Sequence, residues 1–199
     1  MDCSFILWII RSYPSDIVLI NRGGTDMSAI IISCFPGCGK TYLSQNADYI
    51  SKIIDLESAD YTIQKDWPQN YFNAIISLLE TYEIILISQH EEILELLNLN
   101  HVPFYIVAPN NSDMISDKKR NIIKQQWFGR FFLRDNSHIK NSTGIEQWFD
   151  LLLANYNKWT SIQHLQKHHP SKIFLLDESE YLADIIATIN KQHTGEKLI

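Results

Sequence analysis

The sequence predicts an α/β protein with a parallel sheet flanked by helices, and three observations carry that prediction. Short unbroken apolar runs alternate with stretches of helical periodicity, the pattern of strands buried on both faces and joined by crossover helices. The first run leads through a glycine-bearing loop straight into a helix-compatible stretch: Ala29-Ile30-Ile31-Ile32, then Ser33-Cys34-Phe35-Pro36-Gly37-Cys38-Gly39-Lys40-Thr41, then Tyr42-Leu43-Ser44-Gln45-Asn46. The composition, 45% hydrophobic and 20% charged over 199 residues, supplies a core for one domain, or for one domain with an insertion.

Residues 1–26 look foreign to this pattern. Phe5–Ile10 is apolar but short, with Asp2 before it and no basic flank, which argues against a signal peptide. One reading is an extension upstream of a biological start at Met27, since Arg22-Gly23-Gly24 can be encoded by a ribosome-binding-site-like stretch. The other is a real N-terminal arm packed on the core.

From Met27 the elements follow in order. The first strand is Ala29–Ser33, and its loop and helix run to Ala47. A short strand near Tyr49–Ile54 ends in Asp55-Leu56-Glu57-Ser58-Ala59-Asp60-Tyr61. Asp66-Trp67-Pro68 opens a helix over Gln69–Tyr82, with the proline at a position a helix start tolerates. Glu83–Ser88 is the next strand, and Ser88-Gln89-His90-Glu91 reads as a capping box for a helix through Leu97. Val102–Ala108 is a further strand. A basic helical stretch follows over Asp113–Leu133, broken by Asp135-Asn136-Ser137. Thr143-Gly144-Ile145-Glu146 reads as a second capping box, and Ile145, Trp148, Phe149, Leu152, Tyr156 and Trp159 behind it fall at helical spacing, a packing stripe. Lys172–Leu176 is the last strand, Ser179–Asn190 the last helix, and residues 193–199 a frayed tail.

The loop carries the clearest chemistry. Strand, glycine loop and helix in that order are the context of a phosphate-binding P-loop, so the fold expected is that of a P-loop NTPase. Gly37 and Gly39 allow the backbone to turn its N–H groups around an anion. Lys40 is placed to reach the β- and γ-phosphates, the Thr41 hydroxyl to meet Mg²⁺, and the helix N-terminus to favour the negative charge. Phe35, Pro36, Gly37, Cys38, Gly39, Lys40, Thr41 and Tyr42 form the expected ATP-binding segment. Cys34 stands where the motif has its first glycine. A thiol of Cys34 or Cys38 so close to Lys40 is either activated by that charge or buried and inert.

Asp55 and Glu57 sit two apart at a strand end, where active sites of open α/β sheets lie. Asp55 is a candidate for Mg²⁺, and Glu57 and Asp60 for an acceptor, against the alternative of a solvated acidic turn. No acid ends the strand Glu83–Ser88, where a Walker B residue belongs, and Gln89 and His90 face the site instead. Lys118, Lys119, Arg120, Lys124, Arg130 and Arg134 occur without an acid between residues 118 and 134. Arg120, Arg130 and Arg134 suit a phosphate clamp, and equally a basic solvated helix face. His164 and His168 are four apart, with His169 beside them, but lack a nearby cysteine or carboxylate partner for a metal. The net charge of −6 argues against a nucleic-acid coat, and no apolar run approaches a membrane span. Three cysteines form no disulfide framework, which points to a reducing, cytoplasmic setting.

From Ile30 to Ile189 the chain resembles the adenylate-kinase-like nucleoside monophosphate kinases, and is similar to small P-loop ATP-binding proteins of bacteriophages and prophages. The residues that carry the resemblance are Phe35–Thr41, Asp55-Leu56-Glu57-Ser58, Pro68-Gln69-Asn70-Tyr71, Ile87-Ser88-Gln89-His90 and Glu180-Tyr181-Leu182. It implies a five-stranded parallel sheet, a mobile lid over residues 113–142, a monophosphate-binding arm over residues 60–71, and an approach of the 177–181 loop to adenine. The activity implied is transfer of the γ-phosphate of ATP to a nucleoside or deoxynucleoside monophosphate. Lys40 and the loop amides would hold phosphates, Thr41 and Asp55 Mg²⁺, Arg130 and Arg134 the transferring group, and Glu57, Asp60, Gln89, His90 and Arg120 the acceptor. The chain departs from that family where it lacks Asp-Gly-Phe-Pro-Arg after the strand Glu83–Ser88. Three other activities fit the same residues: a small-molecule hydroxyl kinase similar to shikimate or gluconate kinases, a nucleotide-binding regulatory module, and a polynucleotide-end kinase.

Overall fold

The computed structural model describes residues 29–46, 52–133, 142–168 and 172–194. The N-terminal stretch with Met27, the segment holding Arg134 and the breaker Asp135–Ser137, His169 and the last five residues lie outside them. Five strands are described: β1 (Ile30–Cys34), β2 (Ile53–Leu56), β3 (Ile84–Ser88), β4 (Tyr105–Pro109) and β5 (Lys172–Leu176). They form one all-parallel sheet in the order β2-β3-β1-β4-β5. Burial follows this order. Every residue of the central strands β1 and β4 is buried, whereas the edge strands β2 and β5 are mostly half-buried. That is why β1, β3 and β4 read as unbroken apolar runs.

Eight helices are described: α1 (Lys40–Asn46), α2 (Ala59–Thr62), α3 (Gln69–Leu78), α4 (Glu91–Leu99), α5 (Asp117–Leu133), α6 (Ser142–Trp159), α7 (Ile162–Gln166) and α8 (Leu182–Thr194). Right-handed crossovers put α1 on one face, because β1 connects leftward to β2, and the helices of the rightward connections on the other. The packing of α1 with α8, and of α3 with α4, agrees. The direction of travel reverses between β1 and β4, so the crevice at the carboxyl end of the sheet opens beside the loop after β1.

Beneath that loop lies an aromatic cluster. Phe35 meets the edges of Trp127 and Tyr156, with ring centres 6.2 and 5.8 Å apart, and Phe128 contacts Phe149 and Tyr156. Leu152 and Tyr156 are buried and Phe149 and Trp159 half-buried, as their helical spacing predicts.

Several boundaries shift from the sequence reading. β2 starts later and includes Asp55. The residue that caps α4 is His90, extended and without a side-chain cap bond, so Ser88-x-x-Glu91 is no capping box. Ser88 is the last residue of β3, and its N–H donates to the Tyr71 hydroxyl. α6 begins at Ser142, which puts Thr143 inside its first turn. α8 runs to Thr194, two residues into the expected tail.

Candidate functional site

The loop after β1 is held from below and above. The Phe35 N–H donates to Val107 O at 2.9 Å and the Cys38 N–H to Phe35 O at 3.2 Å, which closes a turn. Gly37 and Gly39 have φ of +87° and +95°, a region that side chains resist. Space is tight there as well: a Cβ on Gly37 would lie 3.0 Å from the Trp127 indole nitrogen, and one on Gly39 3.3 Å from Tyr181. The Trp127 indole N–H donates to Pro36 O at 2.6 Å, and Leu182 N–H donates to Cys38 O. The amides of Gly37, Gly39, Lys40 and Thr41 take no acceptor among the described residues. Such a run of unpaired N–H groups at a helix start is suited to an anion. Lys40 is half-buried at the same end, and Tyr42 is exposed.

β2 brings its acids beside this loop. The Thr41 hydroxyl donates to Asp55 Oδ2 at 2.8 Å, and Asp55 Oδ1 is buried with no hydrogen-bond partner among the described residues. Glu57 is exposed and accepts only from the adjacent Ser58 N–H, at 3.0 Å. Asp60 is exposed in the first turn of α2.

The ends of β2 and β3 are stitched together by His90, already a candidate from the sequence, with Ser58, Trp67 and Tyr71. Ser58, which is buried, has its hydroxyl 2.9 Å from His90 Nε2. The Tyr71 hydroxyl donates to Leu56 O at 2.6 Å and receives the Ser88 N–H. Trp67 packs with its ring centre 5.7 Å from Tyr71 and 5.0 Å from His90, and Tyr61 lies 5.0 Å from Tyr71. The Trp67–Pro68 peptide is cis. Burial holds the His90 imidazole below its ordinary value of 6.5; Glu92 and Glu57 oppose that, and Lys40 adds to it. Gln89 donates to Trp159 O at 3.2 Å, so it ties β3 to the end of α6. Three aromatic residues within eleven positions of Tyr61 were the available signal for this cluster.

The arginines are placed differently from the expectation. Arg130 donates to the carbonyls of Glu178 and Glu180, the latter at 2.9 Å. Its guanidinium lies between two rings, 4.7 Å from the centre of Trp127 and 4.0 Å from that of Tyr181. It therefore fastens α5 to the loop before α8 and lines, with Gln126, Gly129, Glu178, Ser179 and Tyr181, a cleft of about 320 Å³. Arg120 donates to Ser112 O and Ile115 O and pairs with Asp113 and Asp117, so it organises the turn that starts α5. Both are engaged within the protein, each donating to two backbone carbonyls of a loop packed against α5. Lys119 pairs with Asp177 and Glu178 across the same gap.

Cys34 and Cys38 are fully buried, and the Cys38 thiol donates to Val107 O at 3.4 Å. Burial pushes the Cys38 thiol well above its ordinary range, so its desolvation outweighs the charge of Lys40. Its burial agrees with the inert one of the two alternatives at that position. His164 and His168 stack edge to face at 5.6 Å beside the Lys167–Glu91 ion pair. Among the described residues no group of three or more His, Cys, Asp or Glu could hold a metal, and no helix is long and apolar enough to cross a membrane. In comparisons with known proteins, no family model matches the chain and no curated protein matches it.

Proposed function

We propose that the chain is a P-loop phosphotransferase that binds ATP with Mg²⁺ and moves its γ-phosphate to an acceptor. The observation that carries the reading is the pairing of Thr41 with Asp55 beside four unpaired loop amides and Lys40. The amides and Lys40 suit the phosphates. The residues also fit the metal: Thr41 Oγ1 and Asp55 are hard oxygen donors, and the buried, unpartnered Oδ1 is an atom in need of a cation or water. Thr41 and Asp55 would hold Mg²⁺, which when bound neutralises charge on the β- and γ-phosphate oxygens. A reducing, cytoplasmic setting agrees with two free thiols buried in the loop.

The resemblance implies a nucleoside monophosphate as acceptor, with Arg134, outside the described residues, in the role of phosphate clamp. A second reading, a hydroxyl acceptor, is favoured by a specific observation. Arg120 and Arg130 are committed to carbonyls, while the free carboxylate of Glu57 stands beside the site. A hydroxyl must lose a proton in transfer and so needs such a base; a phosphate acceptor does not. ATP consumption measured against nucleoside monophosphates and small hydroxyl compounds tests the phosphotransferase reading. Stimulated consumption that falls by about 10²-fold or more in Asp55→Asn supports it; ATP bound without transfer to any acceptor would leave only a binding module.

A further inference from the structure

Four features converge on one side of the Thr41–Asp55 pair. The first is a wall of rings. Tyr71 is fully buried and pinned between β2 and β3 by its hydroxyl, while Trp67 and Tyr61 pack on it and remain partly exposed. The second is the partly buried hydrogen bond between Ser58 and His90, whose imidazole meets Trp67 edge to face with ring centres 5.0 Å apart. The third is Glu57, exposed and with its carboxylate free apart from the Ser58 N–H. The fourth is the balance of charge. Asp55 bonds Thr41, Glu57 follows it past the end of β2, Lys40 neighbours Thr41, and both described arginines are bonded to carbonyls of other loops.

Among the described residues a phosphate monoester would meet carboxylates here and no guanidinium fork, an unfavourable place for a dianion. A neutral ligand with a flat ring and a hydroxyl meets what it needs. We propose that the acceptor is a nucleoside, its base against Trp67 and Tyr61 and its ribose or deoxyribose hydroxyl at Glu57. This rests on the phosphotransferase reading and names its substrate class. In the transfer the hydroxyl oxygen forms a bond to the γ-phosphorus, and the bond from that phosphorus to the β,γ-bridging oxygen breaks. Its electron pair leaves with ADP. The hydroxyl proton passes to the Glu57 carboxylate and then to water, so the products are a nucleoside monophosphate, ADP and one proton. The Ser58–His90 pair borders the acceptor site, and Glu57, whose carboxylate is bonded only to the Ser58 N–H, takes the proton.

The test uses the full chain and two readouts. Calorimetry without ATP measures binding of adenosine, thymidine, cytidine and guanosine and of their 5′-monophosphates; γ-labelled ATP then follows transfer to each. At least one nucleoside should bind and be phosphorylated with kcat/KM about 10²-fold or more above its monophosphate. Trp67→Leu should weaken nucleoside binding by about 10- to 100-fold with ATP affinity unchanged, and Trp67→Phe should restore most of it. Glu57→Gln should lower kcat by about 10²- to 10⁴-fold with little change in nucleoside affinity. Preference for monophosphates, equal use of hydroxyl compounds that lack a ring, or transfer confined to polynucleotide ends would overturn the proposal while leaving the phosphotransferase standing. So would nucleoside binding indifferent to Trp67→Leu in a variant that still binds ATP. Loss of ATP binding in the wild type would instead bring down the reading beneath it.

Discussion

Replacing Arg130 by alanine separates a tether from a phosphate clamp. The guanidinium makes two hydrogen bonds to loop carbonyls and lies on two rings. A hydrogen bond from a charged donor contributes about 1.5–3 kcal/mol net, and a cation–π contact at a partly exposed site about 0.5–1 kcal/mol. These contacts share one side chain and are not additive, so the expected loss is about half their total, roughly 2–4 kcal/mol. For a chain of this length that lowers Tm by roughly 4–16 °C. Thermal unfolding followed by circular dichroism measures it. Arg130→Lys keeps the charge but cannot span both carbonyls, and should recover less than half of the loss. ATP affinity should fall in step, because Trp127 and Tyr181, which Arg130 holds, cover Gly37 and Gly39. A Tm within about 1 °C of wild type, together with a fall in turnover of about 10³-fold or more, would refute the tether and restore the clamp.

Other outcomes follow from the same geometry. Gly37→Ala should cost about 1–3 kcal/mol, from its positive φ and the indole 3.0 Å from the new Cβ, and urea unfolding measures it. Tyr71→Phe leaves the buried Leu56 carbonyl and Ser88 N–H without their partner and should cost about 1–3 kcal/mol in the same assay. Cys34 and Cys38 should resist alkylation near neutral pH until the protein unfolds, as mass spectrometry of labelled native and denatured samples would show. The lowered pKa of His90 makes the folded state bind fewer protons than the unfolded one. Its contribution to stability is therefore full above the ordinary value of 6.5 and is lost as pH falls through the folded pKa. The drop in Tm between about pH 7.5 and pH 5 should be smaller in His90→Gln than in wild type.

The fold was legible where burial on both faces leaves an unbroken apolar run. Ile30–Cys34 and Ile84–Ser88 fall within a residue of their expected positions, and the half-buried edge strand Lys172–Leu176 was found through its own apolar run. β2 was misplaced because an edge strand of four residues, with Asp55 inside it, carries no such run. The loop glycines were legible because positive φ and close approach leave few other residues possible. The partners of the arginines were not. A basic residue on an amphipathic helix reads the same whether it faces water, phosphate or the carbonyls of a loop fifty residues away, and only the packing of α5 on the loop before α8 decides between them. Ser58 and Trp67 were hidden for a related reason: their contacts with His90 join segments more than twenty residues apart.

The central claim is that the Phe35–Thr41 loop holds the phosphates of ATP. Calorimetric titration of wild type and Lys40→Ala with ATP and Mg²⁺, with thermal unfolding as the check on the fold, tests it most directly. The account predicts binding by the wild type, loss of affinity of about tenfold or more in the variant, and Tm values within about 2 °C of each other, since the Lys40 ammonium group has no hydrogen bond or ion pair among the described residues. Unchanged affinity in a folded Lys40→Ala protein, or no binding by the wild type, would contradict it.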